Sequence, residues 1–241
     1  MNFENINKIN LKNRESWKNK VFLTFDMDWC ADEVLSYTLD LLERYNIKAT
    51  FFVTHKTTLL TRMRKNQNIE LGIHPNFNPL LNGNFQYGKT IDEVVQFYKQ
   101  IVPESVSVRS HSLTISTPIL NVFENHDLKY ECNQYIPLNS NIILKPYKHI
   151  NKVIRIPHFW EDDLHCIYQD SWYLDKYLNY DGLKVFDFHP NNLFLNCARE
   201  EHYLSAKPYF SDFEKLKTLI NKSTGELDFF NNLLEKVIHA K

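Results

Sequence analysis

Side chains that could do chemistry follow four apolar runs of this sequence. The first pair is Asp26 and Asp28, which come directly after the β-branched and aromatic run 21–25. Such a run predicts a buried strand, and alternation along the strand is expected to place both acids on one face. Two buried carboxylates repel each other and lose water, so a cation or a shared proton must offset these costs. The pair therefore indicates a metal site or an acid–base site.

Three further predicted strands end in polar residues of the same kind. These residues are His74 with Asn78, Arg109 with His111, and His189. A single histidine at a strand end is more often structural than catalytic, but here four strand ends agree. Because a barrel brings the carboxyl ends of its strands into one cleft, we expect these side chains to lie together. Asp187 is expected to point away from that cleft.

The elements that must position these residues alternate between strand and helix. A helix over 32–45 and an apolar strand over 49–53 complete one βαβ unit with the first strand. Thr90 and Glu93 form a capping box that starts a helix over 91–101. Further strands are predicted at 69–73, 106–108, 130–135, 141–144 and 182–190, and another begins at 153. Further helices are predicted up to residue 64 and over 116–125, and two more lie within 211–241. This order predicts a barrel-like or doubly wound α/β fold.

Length and composition favour one enzyme-sized domain. The chain has 241 residues, 43% hydrophobic content and a net charge of −1, so no basic excess points to nucleic acid or to a membrane surface. We expect an irregular arm over 1–20, a core over 21–190 and C-terminal helices over 191–241 packed on that core. No signal peptide or membrane span is recognisable. The four cysteines are far apart, which indicates free thiols and a cytoplasmic protein.

Residues 20–190 resemble the polysaccharide deacetylase superfamily, the carbohydrate esterases of family 4 and their relatives. The first family motif, T-F-D-D-G, corresponds to 24–26, and the following helix and A-T-F-F strand correspond to 39–48 and 49–53. Here Met27 displaces the second acid by one residue, and Trp29 stands where the glycine is usual. The resemblance implies an α/β fold, a distorted (β/α) barrel of about seven strands. The segments 74–78, 109–112 and 159–163 also resemble deacetylases of surface-polysaccharide (O-antigen type) gene sets.

The resemblance implies a catalytic role for three of the strand-end residues. Asp26 stands at the general base, Arg109 at the arginine of R-x-P-Y that orients the base, and His189 at the general acid. An imidazole suits the last role because its pKa lies near the operating pH. The substrate-binding positions are assigned to Trp29, His111, Trp160 and Glu161. His111 replaces the motif proline and is either an added polar contact or a ligand.

The same resemblance implies a divalent metal, with zinc as the first choice. Asp28, His74 and Asn78 stand at the ligand positions, where Asn78 replaces the second histidine of H-[S/T]-x-x-H. An amide oxygen is a harder and weaker ligand than imidazole. Two alternatives stay open: Asp26 and Asp28 exchange roles, or Asn78 only caps a turn before Pro79 and no metal binds.

Together these positions imply a metal-dependent hydrolase that removes an N-acyl group, most readily N-acetyl, from a sugar or glycan precursor. One alternative is another carbon–nitrogen hydrolase of the superfamily, acting on a cyclic imide or allantoin-like amide without metal; the missing motif histidine favours it. The other is an inactive glycan-binding relative, which the joint presence of Asp26, Arg109 and His189 disfavours. The oligomeric state is left open.

Overall fold

The fold is seen in a computed structural model that describes residues 1–168 and 171–239. Within these residues, ten strands form one sheet. The strands are β1 Asn2–Phe3, β2 Lys20–Asp26, β3 Ala49–Val53, β4 Ile69–Ile73, β5 Ser107–Val108, β6 Tyr130–Glu131, β7 Tyr147–Lys148, β8 Ile154–Arg155, β9 Trp160–Glu161 and β10 Lys184–Phe188.

The sheet curls into a half-barrel. Its strand order is β7-β8-β6-β5-β4-β3-β2-β10-β9, with β1 added on β2. The pairs are parallel apart from β7 with β8. This α/β half-barrel of mainly parallel strands confirms the predicted fold class.

Helices follow the strands as a βα repeat requires. They are α1 Asp32–Arg44, α2 Leu60–Lys65, α3 Asn78–Leu81, α4 Ile91–Ile101, α5 Thr117–Asn125, α6 Asp162–Tyr168, α7 Asp175–Leu178, α8 Pro190–Leu195, α9 Glu200–Ala206, α10 Phe213–Lys217 and α11 Glu226–His239. The α4 helix begins as predicted, because the Thr90 hydroxyl accepts from the Glu93 N–H at 3.2 Å. The last helix, α11, buries Phe229, Phe230, Leu233, Leu234 and Val237 on one side and packs against α8 and β1.

The register aligns the carboxyl ends of the central strands at one edge of the sheet. Val53 pairs with Ile73, and Ile73 pairs with Val108. The residue after each of these two strands, His74 or Arg109, therefore lies at that edge. Close packing beneath them needs Gly72, where a Cβ would lie 2.7 Å from the Phe52 ring and 2.8 Å from the Ser107 carbonyl oxygen.

Two sequence predictions about elements are wrong. Residues 141–144 are not a strand: Asn141 is left-handed with φ 59°, and the Leu144 N–H donates to the Tyr180 hydroxyl instead of to a neighbouring strand. The arm over 1–20 is not wholly irregular, since β1 pairs with β2 and Ile6 and Ile9 are buried. No helix of the described ranges is long and apolar enough to cross a membrane.

Candidate active site

A left-handed turn after β2 brings the two acids of the first motif into one site. The strand ends at Asp26, and the next residues turn sharply, with φ 39° at Asp28 and 52° at Trp29. The Trp29 N–H is held by the Thr54 hydroxyl at 3.1 Å. The sequence predicted that strand alternation would bring the two acids onto one face. Instead, this turn brings them together. A positive φ is unfavourable for a residue with a Cβ, which explains why glycine is usual in the place of Trp29.

Three imidazoles surround Asp28. Its Oδ1 lies 3.3 Å from His74 Nε2 and 3.2 Å from His111 Nδ1, and its Oδ2 lies 3.7 Å from His189 Nε2. Burial alone would raise the pKa of Asp28, but hydrogen bonds from His111 and His74 and the charge of His189 hold it well below its usual value. Asp28 is therefore an ionised carboxylate at the centre of the site.

The atoms of Asp28, His74 and His111 fit a divalent metal. One ligand atom from each lies within 4.8 Å of the others. Bonds of about 2.1 Å at tetrahedral angles put neighbouring ligand atoms roughly 3.4 Å apart. The 3.3 and 3.2 Å separations at Asp28 agree with that spacing, and one carboxylate with two imidazoles is a common set for zinc.

Asn78 contacts a neighbour of His111. Its Nδ2 donates to the Ser112 hydroxyl at 3.1 Å, and its N–H is held by the Asn76 side chain at 3.0 Å. His111, which the sequence left as a polar contact or a ligand, lies with Asp28 and His74 in the cluster. The sequence contained a hint of this ligand, since His111 replaces the proline of the R-x-P-Y motif, at the end of the strand that follows the His74 strand.

Arg109 is fully buried and joins two acids. Its Nη1 lies 3.0 Å from Asp26 Oδ1 and also donates to Asp187 and, at 3.0 Å, to the Thr24 hydroxyl. The prediction that Asp187 points away from the cleft is wrong. Asp187 pairs in register with Thr24, so both side chains face the interior while Phe186 and Phe188 face the helices.

His189 is held by Asp162, a residue that the sequence reasoning did not single out. Asp162 Oδ1 lies 2.6 Å from His189 Nδ1, and Oδ2 accepts from the His189 N–H at 2.5 Å. Burial opposes a charged imidazole, but the charge and hydrogen bond of Asp162, helped by Asp28, raise the pKa of His189 well above its usual value. The available signal was the acidic run that follows β9.

These groups line a pocket of about 400 Å³. Asp26, Asp28, Trp29, His74, His111, Glu161, Asp163 and His189 contribute to it, with a wall from Tyr203, Lys207 and Phe210 that the sequence reasoning missed. Trp160 lies outside this pocket: it is buried and stacks on Phe229 at 4.9 Å. Of the predicted site residues, Asn78, Trp160 and Arg109 do not line this pocket; Asn78 contacts its lining residue Ser112, and Arg109 contacts Asp26.

Comparison with known proteins identifies the family. The WbmS-like polysaccharide deacetylase family matches residues 23–207. A solved structure assigned as a polysaccharide deacetylase of O-antigen biosynthesis, WbmS of Bordetella bronchiseptica, is 39% identical, with 97% of each chain covered and a TM-score of 0.91. The chain belongs to the WbmS-like polysaccharide deacetylases. It is therefore a hydrolase of the class that acts on non-peptide carbon–nitrogen bonds.

A more distant likeness concerns the fold alone. A solved structure from Mycobacterium smegmatis, assigned as a polysaccharide deacetylase, covers 97% of this chain and 94% of its own, at 13% identity and a TM-score of 0.50. A search of curated proteins gave no match.

The family match, residues 23–207, includes the residues that line the pocket except Pro208, Phe210 and Ser211. The helix α11 lies beyond that range, yet its Glu226 is fully buried beside the site. Burial and the charge of Asp162 raise the pKa of Glu226 well above its usual value. In this WbmS-like deacetylase, a buried carboxyl group with a raised pKa therefore lies behind the acid that holds His189.

Proposed function

We propose that this chain is a metal-dependent deacetylase that removes an N-acyl group, most readily N-acetyl, from a sugar of a glycan precursor. The observation that carries the proposal is the meeting of three groups in one pocket: the Asp28, His74 and His111 cluster, Asp26 held by Arg109, and His189 held by Asp162. These groups supply, in that order, the metal ligands, the general base and the general acid for transfer of an acyl group to water.

The metal ligands are Asp28, His74 and His111. His111 stands in place of Asn78 in this assignment, because its Nδ1 lies 3.2 Å from Asp28 Oδ1. A divalent ion, with zinc the first choice, supplies Lewis-acid polarisation of the acyl carbonyl when bound. Asn78 stands where the family motif has its second histidine, and that loss favoured a metal-free imide or allantoin-like amide hydrolase. With His111 as a ligand, the loss no longer favours that alternative.

Asp26 acts as the general base. Arg109 Nη1 fixes Oδ1 at 3.0 Å, and Oδ2, which lies 3.6 Å from His74 Nδ1, is the oxygen that takes the proton. Water attacks the acyl carbon as Asp26 takes one of its protons, and a tetrahedral oxyanion results. Because Arg109 is buried and also paired with Asp187, it holds the carboxylate in one orientation.

His189 acts as the general acid. Its Nδ1 is bound to Asp162, so its Nε2 is the nitrogen that faces the pocket. When the tetrahedral intermediate collapses, the carbon–nitrogen bond breaks and the leaving amine takes the Nε2 proton. The products are the carboxylic acid, acetate for an acetyl group, and a free amino sugar.

The substrate class comes from the family. WbmS of Bordetella bronchiseptica is assigned to O-antigen biosynthesis, and at 39% identity over the whole chain we infer a surface-polysaccharide precursor as substrate. Trp29, His111 and Glu161 line the pocket where the acylated sugar would lie. A cytoplasmic location remains our prediction, supported by four free, buried cysteines.

Acetate release and metal content test the proposal together. The protein is purified, stripped with a chelator and reloaded with zinc, manganese or cobalt, and acetate is measured over a panel of N-acetylated sugars and glycan fragments. We expect loss of activity on stripping and recovery on reloading. A protein that hydrolyses a cyclic imide and none of the N-acetylated compounds would overturn the assignment.

A further inference from the structure

A second group of metal-ligating side chains lies where the last two strands of the sheet meet. One ligand atom from each of His158, Glu161 and Asp187 lies within 4.8 Å of the other two. His158 and Asp187 are fully buried, and Glu161 is 9% exposed. None of these three side chains is the base, the acid or a metal ligand in the reaction proposed above.

The register of the sheet places the two carboxyl groups side by side. The strands β9 and β10 are parallel, and Glu161 pairs with Asp187. Paired residues of neighbouring strands point to the same face, on backbones about 4.8 Å apart, and like charges in such a position destabilise a sheet. A charge of opposite sign is therefore needed beside this pair.

His158 is fixed beside the two acids by its own backbone. Its N–H donates to the Gln134 carbonyl at 2.9 Å, and its carbonyl accepts from the Ile136 N–H at 2.9 Å. Its Nε2 lies 3.1 Å from Glu161 Oε2, near the roughly 3.4 Å expected for two ligand atoms on one tetrahedral ion. Burial, and then the charge of Arg109, hold the pKa of His158 well below its usual value. The ring is therefore the neutral form that binds metals, and it does not supply the missing positive charge.

Arg109 does not neutralise these acids either. Its Nη1 is bonded to Asp26 at 3.0 Å and also donates to Asp187. The ionised carboxylates of Asp26, Asp187 and Glu161 therefore have one guanidinium among them, which leaves an excess of two negative charges in a buried space. Buried charges must be paired, and one divalent cation matches this excess.

One oxygen of Asp187 has no use in the contacts of this group. Its Oδ1 accepts from Arg109 and, at 2.9 Å, from the Thr24 hydroxyl. Its Oδ2 is buried and has no hydrogen-bond partner among the described residues. A buried carboxylate oxygen without a partner is costly, and a metal ion held by Asp187, Glu161 and His158 removes that cost.

We propose that His158, Glu161 and Asp187 bind a second divalent cation, separate from the ion of the Asp28 cluster. One imidazole with two carboxylates is a mixed nitrogen and oxygen set, which suits zinc or manganese. The cation joins β9 to β10 at the end of the strand order and stabilises this edge of the half-barrel. Glu161 also lines the catalytic pocket and its side chain is 10% exposed, so the ion can reach the site from there.

Two other occupants would neutralise or bridge the same groups without a metal. Burial above all raises the pKa of Glu161 and of Asp187 well above its usual value, so protons on both carboxyl groups are one alternative. A buried water between Asp187 Oδ2 and Arg109 Nη2, which also lacks a partner, is the other. Both alternatives predict one metal ion per chain, in the Asp28 cluster, whereas the proposal predicts two.

The metal content of the wild-type protein decides between these counts without any substitution. The full chain is stripped with a chelator and dialysed against zinc alone or manganese alone, and bound metal is measured by plasma mass spectrometry. We expect two ions per chain with at least one of the two metals. Asp28→Asn, which removes a ligand of the first site, should keep one ion. One ion in the wild type with both metals, and none in Asp28→Asn, would overturn the proposal.

Glu161→Gln locates the second ion, because glutamine keeps the shape and removes the charge. In an Asp28→Asn background it should weaken metal binding about 100-fold or more, measured by competition with a chromophoric chelator. Added metal should raise the Tm of Asp28→Asn but not of the double variant. Glu70→Gln in the same background is the matched control, since Glu70 is a buried carboxyl bonded to Thr50 and Ser107, and it should keep the affinity. Equal affinities in the two double variants would place the ion elsewhere.

Discussion

Asp162 holds His189 at two points, through Nδ1 at 2.6 Å and through the backbone N–H at 2.5 Å. The two contacts fix the ring and decide which nitrogen faces the pocket. They also keep a proton on the ring to higher pH than an ordinary histidine, since Asp162 is the main group that raises its pKa. Asp162 therefore acts through His189 as a positioning residue.

Asp162→Asn should lower the pKa of His189 and move the high-pH limb of the kcat profile downward. In the wild type, activity should fall only as the pH rises through the raised pKa of His189, above the ordinary imidazole value of about 6.5. The loss in kcat should be on the order of 10²-fold. Asp163→Asn removes a charge from the same helix turn without the contact to Nδ1, and its limb should move less. An unchanged limb in Asp162→Asn would remove His189 as the acid.

His111→Ala should weaken zinc binding, because His111 Nδ1 lies 3.2 Å from Asp28 Oδ1 in the ligand cluster. We expect a loss of about 100-fold or more in affinity, measured by competition with a chromophoric chelator. Asn78→Ala is the matched control and should bind zinc like the wild type. The opposite result, with Asn78 essential and His111 dispensable, would restore the ligand set predicted from the sequence.

Arg109→Met should destabilise the fold as well as stop catalysis. Arg109 is fully buried between Asp26 and Asp187, and removing one partner of a buried ion pair costs about 3–5 kcal/mol. Urea denaturation measures the free energy of unfolding. Arg109→Met combined with Asp187→Asn should recover part of the loss, because the second change removes a buried carboxyl group that has lost its partner. Strictly additive losses would show that Arg109 and Asp187 are not coupled.

The framework of the site could be read from the sequence more easily than its pairings. Apolar runs that end in Asp26, His74, Arg109 and His189 predicted strands, and the parallel register brings these ends to one edge. The turn at Asp28 could not be predicted from strand alternation, because its backbone is left-handed and the Trp29 N–H bonds to Thr54, 25 positions away in the sequence. The Asp162–His189 and Arg109–Asp187 pairs join residues 27 and 78 positions apart, which local patterns do not reveal.

Glu226→Gln should stabilise the protein increasingly as the pH rises. The pKa of Glu226 is raised in the folded state, so between the unfolded value of about 4.3 and that raised value only the folded state keeps the proton. The free energy of unfolding of the wild type therefore falls across this window as the pH increases, and glutamine removes that dependence. Urea denaturation at pH 5 and pH 8 (about the two ends of a practical range) should show a larger difference at the higher pH. Glu235→Gln, exposed on the same helix, should give a difference that does not change with pH; the same flat result for Glu226→Gln would mean that Glu226 is ionised.

Acetate release by zinc-loaded wild-type and Asp26→Asn protein tests whether Asp26 is the general base. Asparagine keeps the shape and the contact with Arg109 but cannot take a proton, and zinc affinity, measured in parallel, should be retained. We expect acetate release from an N-acetylated glycan to fall on the order of 10²-fold or more in the variant. Equal rates in the two zinc-loaded proteins would show that Asp26 is not the base.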